Sequence, residues 1–486
     1  MIDFQIIVLW SDMLIWLLVA GGIGVGVMIA KSPPLLAAWR RVGANRVGMA
    51  AATVLLVFIL IGLLDSMHYR VQLEGKAGQK PVYAIEVLSL LDALATPLRS
   101  RNEKTYSEPF ATRLYAKETI DLPGQGSVRD YPRLKYGGSH LGEREAEVLA
   151  DVTVTASRAC SLAFVIWLAV VAAVTLSVNR SSAVPQGDLT IATTAGPSLR
   201  AAVDPSGWQK IWSGETVFAW NAVLITLGLI LLFSVPLFWL SSQYHVFGTD
   251  KVGQDVLYQI LKSVRTGLII GLVTTLVMLP MAVLLGIIAG YFRGWMDDII
   301  QYVYTVLNSI PGVLLIAAAV LMMQVVIDTH PQWFSTAAER ADLRLLALCF
   351  ILGITSWTGL CRLLRGETLK LRELEYIQAA QAFGVSNWRI IVRHILPNLM
   401  HIVIIALVMD FSGLVLAEAV LSYVGIGVDP SMTSFGTMIN SARMELGREP
   451  VVWWSLVAAF SAMFILVLAA NIFADAVRDA FDPRAA

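Results

Sequence analysis

Charge is scarce in this sequence. Asp, Glu, Lys and Arg make up 15% of the 486 residues and hydrophobic residues 57%, against about 25% and about 45–50% in soluble proteins. Mean hydropathy is +0.68. Water-soluble cores cannot hide that much apolar surface, so a string of soluble domains is excluded and an all-α polytopic membrane protein is expected. The charge also lacks a sign, with 36 basic and 36 acidic residues, which disfavours a nucleic-acid partner. Cysteine is nearly absent. Cys160, Cys349 and Cys361 lie singly in apolar stretches and make neither a disulfide framework nor a CxxC metal site. The six histidines are scattered, and both HExxH and the GxxxxGK[ST] phosphate loop are missing. The chain is therefore expected to hold no metal, cofactor or catalytic site, and any ATP that drives it must be hydrolysed by another chain.

What is present is long apolar runs. A bilayer core needs about 20 apolar residues in a helix, and nine stretches qualify: Ile6–Ala30, Val47–Leu64, Cys160–Val178, Val217–Leu240, Gly267–Tyr291, Ile299–Val326, Leu345–Leu364, Leu399–Val424 and Val452–Ala474. The first lacks a basic leader and is too long for a cleaved signal peptide, so it is expected to remain as a span. Its Gly21–Gly26 piece follows no strand and is expected to pack closely on a neighbouring helix rather than hold a nucleotide.

Lys and Arg in short loops set the orientation. Lys31, Arg40, Arg41 and Arg46 follow span one. Arg362, Arg365, Lys370, Arg372, Arg389 and Arg393 follow span seven, and Arg478 and Arg484 follow span nine. Nine spans put all three groups on one side, which is then cytoplasmic, with the N-terminus outside and the C-terminus inside. Four regions result: N-terminal spans at 1–64, an external loop or small subdomain at 65–158, two additional spans with a linker at 159–240, and a membrane core at 241–486. The linker Ser181–Gly214 is rich in Ser, Thr, Gly and Pro.

The most informative segment is cytoplasmic, at 373–397. Ala379, Ala380, Phe383, Val385 and Trp388 recur at helical spacing, and Gly384-Val-Ser386-Asn387 breaks them. This reads as an amphipathic helix–turn–helix, too polar to span and too patterned for a loop. Its plain alternative is a helix lying on lipid. Arg389 and Arg393 either pair with an acidic partner or obey the positive-inside rule. Within span eight, Asp410 and Glu418 stand about 12 Å apart on nearly one face. Such carboxylates either line a polar path or are buried by hydrogen bonds against a partner. Outside, Asp250 and Asp255 are candidate caps for a helix starting near Val252. At the tail, Arg478 and Asp482 have the spacing of an intrahelical pair.

These segments resemble a known family. Ala379-Ala380-x-x-x-Gly384, followed by His394-Ile-Leu-Pro397, is similar to the EAA loop of ABC-importer permeases, with Gln378 in the place of the usual Glu. The ending Arg393–Asn398 resembles the oligopeptide/dipeptide/nickel group, in its C-type subunit. So do Phe247–Leu257 (with Gln254 where Arg is usual), Gly290–Asp297, Leu421–Gly427 and Asn471–Arg484. Tyr302 and Thr305 depart from the group's Arg and Asp. Either span two or span four can serve as its first core helix.

The resemblance implies a type I importer permease core with extra N-terminal spans. The loop would dock on an ATPase through Gln378, Ala379, Ala380, Gly384, Arg389, Arg393, His394 and Pro397. Asp410 and Glu418 are the pathway candidates. Implied partners are a second permease in a heterodimer, two ATPase subunits carrying ATP-Mg, an extracytoplasmic solute-binding protein and the lipid of a bacterial inner membrane. Peptides or similar small solutes are the expected cargo. A nickel or metal-chelate importer is the rival within the fold, and a secondary transporter without an ATPase is the rival outside it.

Overall fold

The computed structural model describes residues 4–73, 82–122, 126–142, 144–182, 207–214, 216–334 and 336–481. Among these, nine helices are long and apolar enough to cross a membrane: Trp10–Lys31, Arg46–Asp65, Glu145–Asn179, Trp220–Ser241, Val256–Phe292, Gly312–Thr329, Ala337–Arg372, Asn387–Val424 and Trp454–Phe481. They are spans one to nine. Residues 183–206 of the Ser181–Gly214 linker and the Asp482 partner of the tail lie outside the described residues.

Several expected boundaries move, with span three starting at Glu145, span five at Val256 and span seven running Ala337–Arg372. Span one starts at Trp10 because Phe4–Ile7 is a strand (β1), whose apolar residues run into the span without a break in composition. The stretch Ile299–Val326 is two helices, Trp295–Ser309 and Gly312–Thr329. Pro311 lacks an N–H, and its ring forces Ile310 into extended backbone, at φ −90° and ψ 131°.

Of spans two and four, span two is the one packed along spans five and nine. A Cβ at Gly48 would sit 2.5 Å from Ala476, and one at Gly62 2.6 Å from Leu268. Spans three and four form a hairpin beside span two, joined where the Trp167 indole donates to the Leu224 carbonyl at 2.8 Å. Among the described residues no atom lies within 4 Å of a Cβ built at any glycine of Gly21–Gly26. Within this chain span one touches its neighbours through its outer end, at Ser11, Asp12 and Ile15.

The external region is more than a loop. β1 pairs antiparallel with β2 (His68–Val71), and β2 with β3 (Leu88–Ser89). Glu118–Leu122 and Gly126–Asp130 form a separate hairpin. The region clamps onto the outer ends of spans five and nine. Tyr115 meets Trp454 edge-on at 4.9 Å and donates to the Val451 carbonyl. Glu103 N–H donates to the Gly253 carbonyl, and Gly253, at φ +75°, has no room for a Cβ beside Glu103. Asp255 caps span five by accepting from Leu257 N–H. Asp250 instead closes a local turn, accepting from Val252 and Gln254.

A buried triad fastens this clamp. His245 Nδ1 lies 2.7 Å from Asp255 and Nε2 3.4 Å from Glu103, and all three side chains are nearly inaccessible. Burial alone would raise the Glu103 carboxyl. The His245 hydrogen bond and the N–H groups of Lys135, Tyr136 and Gly137 hold it at about 2 instead. Burial alone would lower His245, and its two carboxylate partners raise it to about 9. Glu103 therefore stabilises the clamp above its ordinary 4.5 and fails as pH falls through about 2. His245 stabilises it below its ordinary 6.5 and fails as pH rises through about 9. Hydrogen exchange at Lys135–Gly137, corrected for intrinsic rates, should show flat protection from pH 5 to 6.5. Protection should then fall about tenfold or more toward pH 9. Protection unchanged at pH 9 would refute the assignment.

Candidate coupling site

The cytoplasmic segment folds as helix Glu375–Ala382, a turn, and helix Asn387–Ile390 leading into span eight. Gly384, at φ +71°, ends the first helix. Val385 N–H reaches the Ala380 carbonyl and Gly384 N–H that of Gln381, a Schellman closure that needs a left-handed residue at Gly384. A π-helical turn, Ile391–Ile395, precedes Pro397. The wider turn relieves the clash between the proline ring and the preceding carbonyls.

This unit is bolted to the membrane body. Ile377, Ile390 and Ile395 are fully buried in a cluster with Met278, Leu364 and Leu399. Burial of one such side chain contributes about 1.5–3 kcal/mol. Tyr291, at the inner end of span five, donates its hydroxyl to Asn387 at 2.9 Å and accepts from Gln381 at 3.2 Å. Arg372 donates to the Tyr291 carbonyl at 2.7 Å. Behind this seat, spans five and seven touch at Gly286 and Gly290, where a Cβ would meet Cys361 and Thr368. Arg365 grips Asp297 with two bonds, at 2.6 and 2.7 Å. Its hydrogen bond holds the Asp297 carboxyl below the usual range despite partial burial.

The opposite face of the unit is open. Gln378, Ala379, Gly384, Arg389, Arg393 and Pro397 are exposed, while Ala380 and His394 are half-buried. Neither arginine pairs with an acidic side chain among the described residues. Phe383 is 87% exposed and Trp388 67%. These two aromatics stand at the periodic positions in the sequence, yet they face out. The buried face belongs to Ile377 and the isoleucines after Trp388. Tyr291, inside the Gly290–Asp297 motif, is the anchor that spacing within 373–397 could not reveal.

The two span-eight carboxylates separate. Glu418 is 1% exposed and accepts from Ser422 at 2.6 Å and Ser434 at 2.8 Å. Ser434 also caps the external helix Phe435–Glu445. Glu418 thus ties that helix down and faces no opening. Asp410 is half-buried and has no partner among the described residues.

A polytopic helical body carrying a rigidly seated, open-faced helix–turn–helix has the form of a transporter's membrane subunit. Residues 282–486 match the family described as binding-protein-dependent transport system inner membrane component. The glutathione transport system permease protein GsiD of Pectobacterium atrosepticum is 33% identical over 243 residues, half of this chain and 74% of that protein. The oligopeptide permease protein OppC of Mycobacterium tuberculosis is 32% identical over 239 residues, 49% of this chain and 76% of its own. The dipeptide permease protein DppC of Lactococcus lactis is 30% identical over 241 residues, 50% and 64%. The chain belongs to this family of oligopeptide and dipeptide ABC permease subunits.

Proposed function

We propose that this chain is one permease of a heterodimeric importer in a bacterial inner membrane, moving peptides or similar small solutes inward from an external binding protein. Two ATPase subunits, carrying ATP and Mg, would dock on the exposed face of Ala379, Gly384, Phe383 and Trp388. The observation that carries this reading is the contrast between the two faces of one short unit. The inner face is locked to spans five, seven and eight, and the outer face leaves large apolar side chains uncovered by the described residues. A push on the outer face would move span ends, because fully buried contacts leave the unit no slack. The isoleucine face of the unit packs on protein rather than on lipid. Peptide cargo is favoured over a metal chelate because the relatives are named for glutathione, dipeptides and oligopeptides. Purification in mild detergent should retain an ATPase with a phosphate-loop motif and a second permease. Retention of neither, with uptake persisting in ATPase-free vesicles, would favour a secondary transporter.

A further inference from the structure

Asp410 stands at the midpoint of Leu396–Val424, fourteen residues from either end, or about 21 Å along the axis each way. The fully buried carboxylates within the spans are satisfied by partners among the described residues. Asp12 pairs with Arg265 and His68, Asp65 with Lys262, Asp342 with Ser11, and Glu418 with two serines. Asp410 has no such partner among the described residues and keeps part of its surface open. The helix geometry says where it points. Phe411 turns to span five, where its ring fills the space beside Gly271. Ser412 turns to span nine and donates to Asn471 at 2.6 Å. At 100° per residue, Asp410 lies about 160° from Ser412, on the side turned away from span nine. One turn on, Gly413 stands on the same open side, with nothing within 4 Å of a built Cβ, and one turn back Leu407 is exposed there as well. A carboxylate at this depth, with no counter-charge among the described residues, needs a cation or water from outside the chain.

We propose that Asp410 reads the solute, taking the protonated α-amine of a peptide as it passes mid-membrane. The proposal rests on the importer reading above. The test uses the whole importer in vesicles, comparing uptake of a tripeptide with that of its N-acetyl derivative. One binding protein serves every variant, so a changed ratio belongs to the permease. Wild type should favour the free amine, Asp410→Asn should cut that preference at least tenfold, and Asp410→Glu should restore it. An unchanged ratio in Asp410→Asn overturns the proposal, as does equal uptake of both peptides by wild type. Loss of both activities together with loss of the second permease from the purified complex also overturns it, and makes Asp410 a subunit contact. Wild type taking up neither peptide fails peptide import itself, a different result from retained uptake without discrimination.

Discussion

Ala379→Asp and Gly384→Asp should each leave the protein folded in the membrane and reduce ATP-driven uptake at least tenfold. Neither change should cost much locally. Ala379 lies on the exposed side of Glu375–Ala382, where a surface substitution is usually within about 0.5 kcal/mol of neutral. Gly384 meets no atom within 4 Å of a built Cβ, so the cost of Asp there is the left-handed backbone, about 1–2 kcal/mol. A docked ATPase changes the balance. Added bulk in a packed contact costs about 1–3 kcal/mol, and a carboxylate buried without a partner costs more. Together these remove most of a specific but modest interface. Ser386→Ala is the control. Ser386 starts the second helix without a side-chain cap bond, so its loss should be mild. Uptake and ATP hydrolysis by the assembled importer are the readouts, with membrane abundance as the check on folding. If both charged variants transport normally, the helix–turn–helix is not a coupling element.

Much of this architecture is legible in the sequence because membrane spans are written in composition. Nine apolar runs suffice for the number of long apolar helices among the described residues. The errors arise where one residue outweighs a run. Pro311 divides the sixth stretch although hydropathy passes through it, and β1 hides within the apolar lead of span one. The coupling segment is legible as a unit, but its polarity is not. Phe383 and Trp388 share a helical period with the alanines, and only the packing of Ile377 on spans five and seven shows which face is buried. Glu418 gave half a signal in Ser422, one turn on. Its second partner, Ser434, comes from across a turn that spacing does not predict. The small external sheet is invisible because it joins strands more than 60 residues apart.

The other large effect expected is at Arg265. Its guanidinium is 6% exposed and donates to Asp12 at 2.6 Å and Ser11 at 2.8 Å. Ser11 in turn binds Asp342 through both its N–H and its hydroxyl, and His68 closes on the far oxygen of Asp12 at 2.7 Å. Spans one, five and seven and the external sheet thus share one buried charge cluster, and Arg265 is the cation within direct reach of Asp12. Arg265→Met keeps the length and apolar stem but leaves Asp12 and Asp342 buried without that cation. Removing one partner from such a set costs about 3–5 kcal/mol. The loss should appear as earlier unfolding in a detergent titration, with proteolysis between Lys31 and Asn45 as span one detaches. Lys262→Met should cost less. Lys262 also bridges two acids, Asp65 and Asp92, but its side chain is 22% exposed and water can replace it. The combination Arg265→Met with Asp12→Asn should be clearly less damaging than the sum of its parts, because neutralising the stranded acid removes the main penalty. Additive effects, or an Arg265→Met protein as resistant as wild type, would mean that apolar contacts alone hold span one in place.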